Sequence, residues 1–492
     1  MFGVILISLF AIYIFHQFYW RRMNLPPGPM PLPLIGNLNI LDINGIDTQL
    51  LQLKKQYGNV FTLWIPTPAI VVGGLQQLQT IFTKNGDNVA GRPYSFIMDE
   101  IFMGPYGIVY GHDSFWKSQR KFVLHVLRDF GVGKPILEDA IQIQAADVCN
   151  YFKSLNGKPI SVKKVLVTCV GNIIYQLIFG TTIPLDSTLI HEKEQLAVNA
   201  SAAFRHPFVL LVTLFPFLKN FRFLAGKTYH DSIECSVAFA NFFKNHIKEH
   251  RETINYEGEP RDYTDAFLIE QRKQNPTLKD EGEWSDKQLI GALSDLFGAG
   301  IETTATTLEM FIYYMIHNPD IQKKIQEEID RVIGKDKIIR MADQPKLPYF
   351  NACLQEVQRL AVVIPMNLLH RTTKSITFDG YVIPKDTIII PQFEMVHKDE
   401  KEFPDPWKFN PARFLDAKNN FVKDDRVTPF SVGKRACVGE ALARMELFIF
   451  AATFFQRFEF HAEDPKKLPP FEFHYTLVKN IKIFNCRIIE RK

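Results

Sequence analysis

Apolar residues along this chain follow three rhythms. Phe2 to Trp20 is apolar almost throughout, interrupted by the polar residues Ser8, His16 and Gln17. As a helix rising about 1.5 Å per residue it would run roughly 28 Å, close to the apolar thickness of a bilayer. Val60 to Trp64 and Ala69 to Val72 are short β-branched or aromatic runs around Pro66-Thr67-Pro68, which predicts two strands and a turn. From Asp113 onward a helical period dominates and predicts helices over 115–130, 137–153, 161–178, 230–252, 285–317 and 319–333. Asn318 before Pro319 reads as the N-cap of the last of these, with the proline in its first turn. Strand-like alternation returns over 376–390, with turns at Asp379-Gly380 and Pro384-Lys385, and again over 471–490. The polar connectors Asn255–Pro260 and Asn275–Glu283 carry no mark of a domain boundary. The pattern describes a mainly α protein with small β-sheets, one large body behind an apolar N-terminal segment.

Arg21 and Arg22 follow that segment directly, and Tyr13, Tyr19 and Trp20 supply aromatics for an interfacial belt. No basic residue precedes the run and no small-residue cleavage site follows it. The expectation is a retained anchor over residues 1–22 rather than a cleaved signal, with everything after Arg22 cytosolic. Leu25-Pro26-Pro27-Gly28-Pro29, then Pro31 and Pro33, make residues 23–36 a stiff extended hinge, leaving 37–492 as the globular domain. A second apolar stretch, His206 to Phe223, is broken by Pro207 and Pro216 and is too short to span.

Composition narrows the class. Hydrophobic residues make up 46% of the 492, and 42 phenylalanines imply a large apolar interior or pocket. A formal charge of +4, with no P-loop and no basic tail, excludes nucleic acid as the expected partner. The six cysteines are sparse and unpaired in spacing, so no disulfide framework is expected.

One of those cysteines carries the strongest chemical signal. Cys437 lies in Phe430-Ser431-Val432-Gly433-Lys434-Arg435-Ala436-Cys437-Val438-Gly439, ahead of the helix-like stretch Glu440 to Phe450. A free cysteine is ordinarily a buried structural thiol. Here two glycines, an arginine two residues upstream and the positive end of a following helix favour a thiolate instead. Leu296-Phe297-Gly298-Ala299-Gly300-Ile301-Glu302-Thr303-Thr304 places two glycines inside a helix, at about 1 kcal/mol each, which implies a close approach to the backbone. Thr303 can bond back to the Ala299 carbonyl and distort that turn, beside the carboxyl of Glu302. Glu356-Val357-Gln358-Arg359 has the spacing of a helical ion pair, a common surface feature. Trp116-Lys117-Ser118-Gln119-Arg120 puts an indole and a guanidinium on one helix face, as a cation–π pair or as a carboxylate-binding couple. Lys117, Arg120, Lys121, Arg128 and Lys134 make that helix basic; with Lys434 and Arg435 they form either a solvated face or one that steers an acidic partner.

Together these strings, in this order over nearly the whole chain, resemble the cytochrome P450 superfamily, and the Glu-Thr-Thr helix resembles its microsomal family 2 branch. The resemblance implies the family fold, with haem buried between two long helices. It implies haem b with an axial thiolate from Cys437 on the iron. It matches Trp116, Arg120, Arg92, His370 and Arg435 to haem-propionate positions, with Arg371 as a rival for His370. Thr303 and Glu302 match the proton-relay threonine and acid. Glu356 and Arg359, joined by Arg413 of Phe409-Asn410-Pro411-Ala412-Arg413-Phe414, match a buried structural network. Pocket positions by resemblance include Phe96, Met98, Ile101, Phe102, Ile108, Val109, Phe204, Leu296, Ala299, Val363, Ile364, Met366 and Leu477. They are apolar, with Asp295 the one charged group counted beside them, and favour a lipophilic substrate such as a xenobiotic, fatty acid or steroid. The implied reaction inserts one atom of dioxygen into that substrate, with electrons from NADPH through NADPH–cytochrome P450 reductase and with cytochrome b5 as a further donor. The implied location is the endoplasmic reticulum membrane, held by one anchor and by membrane lipids. A haem-thiolate isomerase or dehydratase, and a non-catalytic haem sensor, are the alternatives from other classes. An additional glycine in Gly298-Ala299-Gly300 and a single proline in Val362–Leu369 depart from many relatives.

Overall fold

A computed structural model describes the chain except residues 1, 34, 42–44, 66, 95, 103, 112, 280 and 476, and except the side chains of 2, 6, 17, 18, 102, 113, 114, 205, 210, 213 and 214. Pro66, predicted in a turn, and the side chain of Phe102 therefore lie outside the described residues.

The apolar N-terminal segment forms α1 (Phe2–Phe18), and the stretch Gly3–Arg22 is long and apolar enough to cross a membrane, with none of its described side chains buried. The proline-rich hinge is not a free spacer. Arg21 lies over the Trp64 ring at 4.8 Å, and Arg22 Nη2 donates to the Gly28 carbonyl at 3.1 Å. Thr62 donates its N–H to Pro27 O at 2.8 Å and its hydroxyl to Pro26 O at 2.7 Å. A Cβ at Gly28 would lie 2.0 Å from Thr62 O, so the approach itself requires glycine.

Behind the hinge come α2 (Ile46–Tyr57), β1 (Val60–Trp64), β2 (Pro68–Val72), α3 (Leu75–Gln79) and α4 (Phe96–Phe102). The helical body follows: α5 (Asp113–Asp129), α6 (Pro135–Ser154), α7 (Lys163–Phe179), α8 (Leu189–Ser201), α9 (Pro207–Leu214), α10 (Gly226–Thr253), α11 (Tyr263–Gln274), α12 (Asp286–His317), α13 (Pro319–Val332) and α14 (Pro348–Ala361). Then β3 (His370–Arg371), β4 (Ile376–Phe378), β5 (Tyr381–Ile383), β6 (Ile388–Pro391) and α15 (Glu394–His397) lead to α16 (Glu440–Arg457), β7 (Phe458–Ala462), β8 (Phe473–Tyr475), β9 (Lys479–Ile481) and β10 (Cys486–Glu490). The main sheet has the order β1-β2-β6-β3, with β2 and β6 parallel and the other pairs antiparallel. The β4–β5 turn sits at Asp379 and Gly380, both at positive φ, as an Asp-Gly hairpin requires.

The core is a helical packing around α12. Phe297, Ile301, Ala305 and Leu308 on one face of α12 are buried in a single apolar cluster that also takes in α7, α14 and α16. Six helices follow the predicted spans to within a few residues. The short helices α4, α8, α9 and α11 escape the periodicity reading. α9 is apolar on every face, and α11 buries Thr264, Asp265 and Gln271 beside Phe267 and Leu268, so neither shows one apolar stripe. Asn318 occupies the N-cap position of α13, but its Nδ2 donates back to Tyr314 O at 2.8 Å and caps the end of α12 instead. His206 to Phe223 is half core: Phe208, Val209 and Val212 are buried, whereas Leu211, Phe215, Phe217, Phe221 and Phe223 are exposed.

Candidate functional site

Cys437 sits on a turn that ends at Gly439, the N-cap of α16, and its own N–H donates to Phe430 O at 2.9 Å. Gly433, at positive φ, faces Phe82: a Cβ there would meet Phe82 O at 1.9 Å. The glycine lets the loop pack against the helical turn Thr80–Lys84 that follows α3. The Cys437 side chain is exposed, although protein atoms crowd most of the sulfur's surroundings. Burial pushes its thiol up from the ordinary value; the Gly439 N–H and the Arg120 charge act the other way. The helix end thus does not by itself yield the thiolate expected from the sequence. A bound metal cation would do so.

Beside the cysteine, three arginines converge from three segments. Arg120 Nη2, on α5, donates to Ala436 O at 2.6 Å. Arg435 spreads its guanidinium over Ala90 O, Ile108 O and Gly111 O at 2.8, 3.3 and 2.6 Å. Arg92 reaches Val109 O at 2.8 Å and Leu369 O at 2.7 Å, and burial lowers it to about 10. Trp116 lies among them: Arg435 stacks over its ring at 3.7 Å and Arg120 stands 6.0 Å away. The Trp116 Nε1 is buried with no hydrogen-bond partner among the described residues. A donor stranded beside guanidinium groups is a site built for an anionic acceptor. The residues therefore fit the carboxylates of a haem.

Strand alternation separates the two rivals on β3. His370 packs edge-on against Phe82 at 4.6 Å, donates Nδ1–H to Val89 O at 2.8 Å, and is held well below the usual imidazole range by burial, with Arg92 and Arg435 nearby. Arg371 points the other way. It pairs with Asp386, lies over Tyr94 at 4.3 Å and donates Nε–H to Arg92 O at 2.9 Å.

On α12, Thr303 Oγ1 donates to Ala299 O at 2.8 Å, and Thr307 repeats the bond to Thr303 O at 2.8 Å. Glu302 is turned aside, with Oε1 accepting from Asn480 Nδ2 of β9 at 2.9 Å. The carboxyl and the hydroxyl are neighbours in sequence, yet they look onto adjacent faces. The two glycines differ: a Cβ on Gly300 would lie 2.7 Å from Ile174 Cδ1, while one on Gly298 would meet nothing within 4 Å. Only Gly300 has the close neighbour that the sequence implied for both.

Asp295 is not a charged wall of the pocket. Its Oδ2 accepts the N–H groups of Ile108 and Val109 at 2.6 and 2.8 Å, and burial lifts it to about 7. Leu296, Ala299 and Thr303 share one α12 face by spacing. Val363 O accepts from Lys479 N at 2.8 Å, which brings the end of α14 to the β8–β9 hairpin, where Leu477 is exposed at the tip. Phe96, Ile101 and Phe204 join a separate cluster with Phe208 and Tyr229 under α9 and α10.

Glu356 is fully buried and accepts from both arginines. Arg359 meets it through Nε at 2.7 Å and Nη2 at 2.8 Å, and Arg413 Nε stands 3.3 Å away. Arg359 also donates to His397 O and Pro406 O, at 2.6 and 2.7 Å.

A mainly helical body, with a cysteine loop leading into its last long helix, is the architecture of a haem-thiolate oxidoreductase. The chain belongs to the cytochrome P450 family, whose model matches residues 26–486. It is 37% identical to the probable cytochrome P450 CYP36A1 of Caenorhabditis elegans, over 99% of this chain and 98% of that protein. It is likewise 37% identical to cytochrome P450 2D3 of Rattus norvegicus, over 92% of this chain and 90% of that one. Cytochrome P450 2C3 of Oryctolagus cuniculus gives 37% over 92% of each. Family membership makes the protein a haem monooxygenase with a thiolate-ligated iron. The sequence reading missed Asn480, and its signal is slight: one of two consecutive polar residues, Lys479 and Asn480, buried in a short strand.

Proposed function

We propose that Cys437 is the iron ligand and that Trp116, Arg120, Arg92, His370 and Arg435 hold the haem propionates of a membrane-anchored monooxygenase acting on a lipophilic substrate. The observation that carries this reading is the orphaned Trp116 Nε1 inside the arginine cluster next to Cys437. His370 rather than Arg371 takes the propionate role, since Arg371 is already paired with Asp386. Bound haem supplies the redox chemistry, in which thiolate ligation pushes electron density that favours O–O cleavage. The chain's own residues orient and protonate. The Thr303 hydroxyl donates its hydrogen bond to Ala299 O, which leaves its oxygen lone pairs to accept from a water, and Glu302 is the adjacent acid. Glu356, Arg359 and Arg413 are structural.

Several features support the finer reading. Asp295 is committed to the loop at 107–111, which leaves the named pocket positions apolar, as a lipophilic substrate requires. The exposed apolar α1, with Arg21 and Arg22 after it, supports a single anchor in the endoplasmic reticulum membrane and a cytosolic body. Exposed Lys117, Lys121, Lys134 and Lys434 near the cysteine loop suit an acidic donor, namely NADPH–cytochrome P450 reductase, with cytochrome b5 as a second.

The test is spectroscopic first. The reduced protein with carbon monoxide is expected to show the thiolate Soret band, and Cys437→Ser to lose it; a retained band overturns the ligand assignment. With reductase and NADPH, an oxidised product from a panel of lipophilic substrates is expected. A thiolate band with no NADPH-dependent product would favour an isomerase or sensor.

A further inference from the structure

Beside the face of α12 that carries Thr303 lies a buried polar cluster that the haem site does not use. Glu302, Thr306 and Glu309 follow each other at helical spacing and share one face. Asn480 of β9 faces them, and only 4% of it is exposed. Its Nδ2 donates to Glu302 Oε1 at 2.9 Å. Its Oδ1 accepts from Thr306 Oγ1 at 2.9 Å and from Lys163 Nζ at 3.0 Å. An ammonium only donates, so the amide cannot be flipped: the oxygen faces Lys163 and the nitrogen faces Glu302. Lys163, in the first turn of α7, also donates to Thr306 Oγ1 at 2.5 Å and stands 3.7 Å from Glu309 Oε2.

Carboxyls outnumber the cation here. Glu309 and Glu302 approach from α12, and Glu194 from α8 feels both Lys163 and Glu302. His191 pairs with Glu194 at 3.2 Å, and His474 of β8 senses Lys163 and Glu302. Burial pushes Glu309 up to about 7 despite the nearby Lys163, so near neutral pH it both holds and releases a proton, and burial raises Glu194 in the same direction. Lys163 keeps 20% of its side chain exposed, which opens the cluster to solvent.

We propose that Asn480 is a positioning residue for proton delivery, holding Glu302 against the Lys163–Thr306–Glu309 cluster so that this cluster, at the start of α7, is the solvent-side proton source for the relay. The inference rests on the reading of Glu302 and Thr303 as the acid and relay. The step moves one proton: a cluster carboxyl gives it up and becomes a carboxylate, and Glu302 takes it and passes it toward the water at Thr303. No oxidant or reductant is involved in it.

Two measurements test this on full-length protein. Infrared spectra of the haem-free chain and of the holoenzyme, each minus its Glu302→Gln counterpart, isolate the Glu302 carboxyl band. Asn480→Leu is expected to shift that band, and an unmoved band overturns the positioning claim. In holoenzyme with reductase and NADPH, Asn480→Leu is expected to cut the yield of product per NADPH several-fold, enlarge the effect of deuterated water and displace the pH profile, with the carbon monoxide spectrum unchanged. Lys163→Gln, which leaves Asn480 in place, is expected to do the same in weaker form and serves where Asn480→Leu does not fold. Asn480→Gln is expected to recover part of the yield. Normal yield and isotope effect in both Asn480→Leu and Lys163→Gln, while Glu302→Gln is impaired, overturn this inference alone. If Glu302→Gln and Thr303→Ala are also normal, the parent reading falls with it.

Discussion

Asp295 on α12 accepts the backbone N–H of Val109 at 2.8 Å, and the same oxygen accepts that of Ile108 at 2.6 Å. The bond fastens the loop at 107–111 to the long helix. Arg435 and Arg92 hold the carbonyls of the same loop, so three buried ionisable residues from distant parts of the chain fix one turn. That turn carries Ile108 and Val109 and meets the arginine cluster through its carbonyls.

The fastening carries a pH signature. Burial raises Asp295 from the ordinary carboxylate range to about 7, against the opposing effect of the two N–H bonds and of Arg92 and Arg435. The folded chain therefore keeps a proton that the unfolded chain loses near pH ~4. Its contribution to stability is fully present below that value and is lost as pH rises toward about 7, on the order of a few kcal/mol. Asp295→Asn has no such proton. Thermal unfolding of the two proteins across pH is expected to show the wild type losing ground to the variant between roughly 4 and 7, then running parallel. Parallel curves throughout would refute the shift.

The two glycines of α12 predict opposite signs. Gly298→Ala meets no atom within 4 Å and is expected to stabilise the helix by about 0.5–1 kcal/mol. Gly300→Ala drives a Cβ to within 2.7 Å of Ile174 Cδ1 and is expected to cost about 1–3 kcal/mol. Adding Ile174→Val removes the offending methyl and is expected to recover part of that loss. Unfolding midpoints of the three proteins measure all of these at once; equal effects of the two alanines would contradict the geometry.

Long-range pairing explains what the sequence concealed. The helices around α12 were legible because apolar residues recur along each over a long span, and the strings that hold Cys437, Trp116 and Arg120 were legible because each is local. Asp295 was counted beside the pocket positions as a charged group because nothing in the sequence sets the N–H groups of residues 108 and 109 against it. Asn480 was invisible because its partners Glu302, Thr306 and Lys163 lie far away in the chain. On β3, alternation sends His370 to Val89 O and Arg371 to Asp386, which no local string shows. The short helices α4, α8, α9 and α11 are shaped by tertiary packing, which propensity does not encode.

The buried triad distinguishes its two arginines. Arg359 has no exposed side-chain surface and makes two bonds to Glu356 and two to main-chain carbonyls. Its removal strips the buried Glu356 of its closer cation and leaves only Arg413 opposite it, at about 3–5 kcal/mol. Arg413 is bound more loosely to Glu356, at 3.3 Å, and is 11% exposed. Arg359→Ala is therefore expected to lose most bound haem and to unfold at much lower temperature, with Arg359→Lys unable to restore the fork of bonds. Arg413→Ala is expected to lose less on both readouts. Haem absorbance per protein and the unfolding midpoint check it, and equal losses would place the two arginines on the same footing.

The hinge gives a last, graded prediction about truncation. Removing residues 1–22 deletes α1 and the Arg21 contact over Trp64, but it leaves Pro26 O and Pro27 O on the hydroxyl and N–H of Thr62. The shortened protein is expected to leave the membrane fraction while keeping haem and nearly the same unfolding midpoint. Removing residues 1–36 also takes away both acceptors of Thr62 and the Met30 carbonyl that Asn37 holds at 3.1 Å. Each lost bond contributes about 0.5–1.5 kcal/mol, so the longer deletion is expected to lower stability by a few kcal/mol at the β1 edge. Sedimentation with membranes and thermal unfolding of the two truncations separate anchoring from bracing. If the shorter deletion already loses haem, α1 is part of the fold; if the longer one unfolds like the shorter, the hinge bonds to β1 contribute nothing.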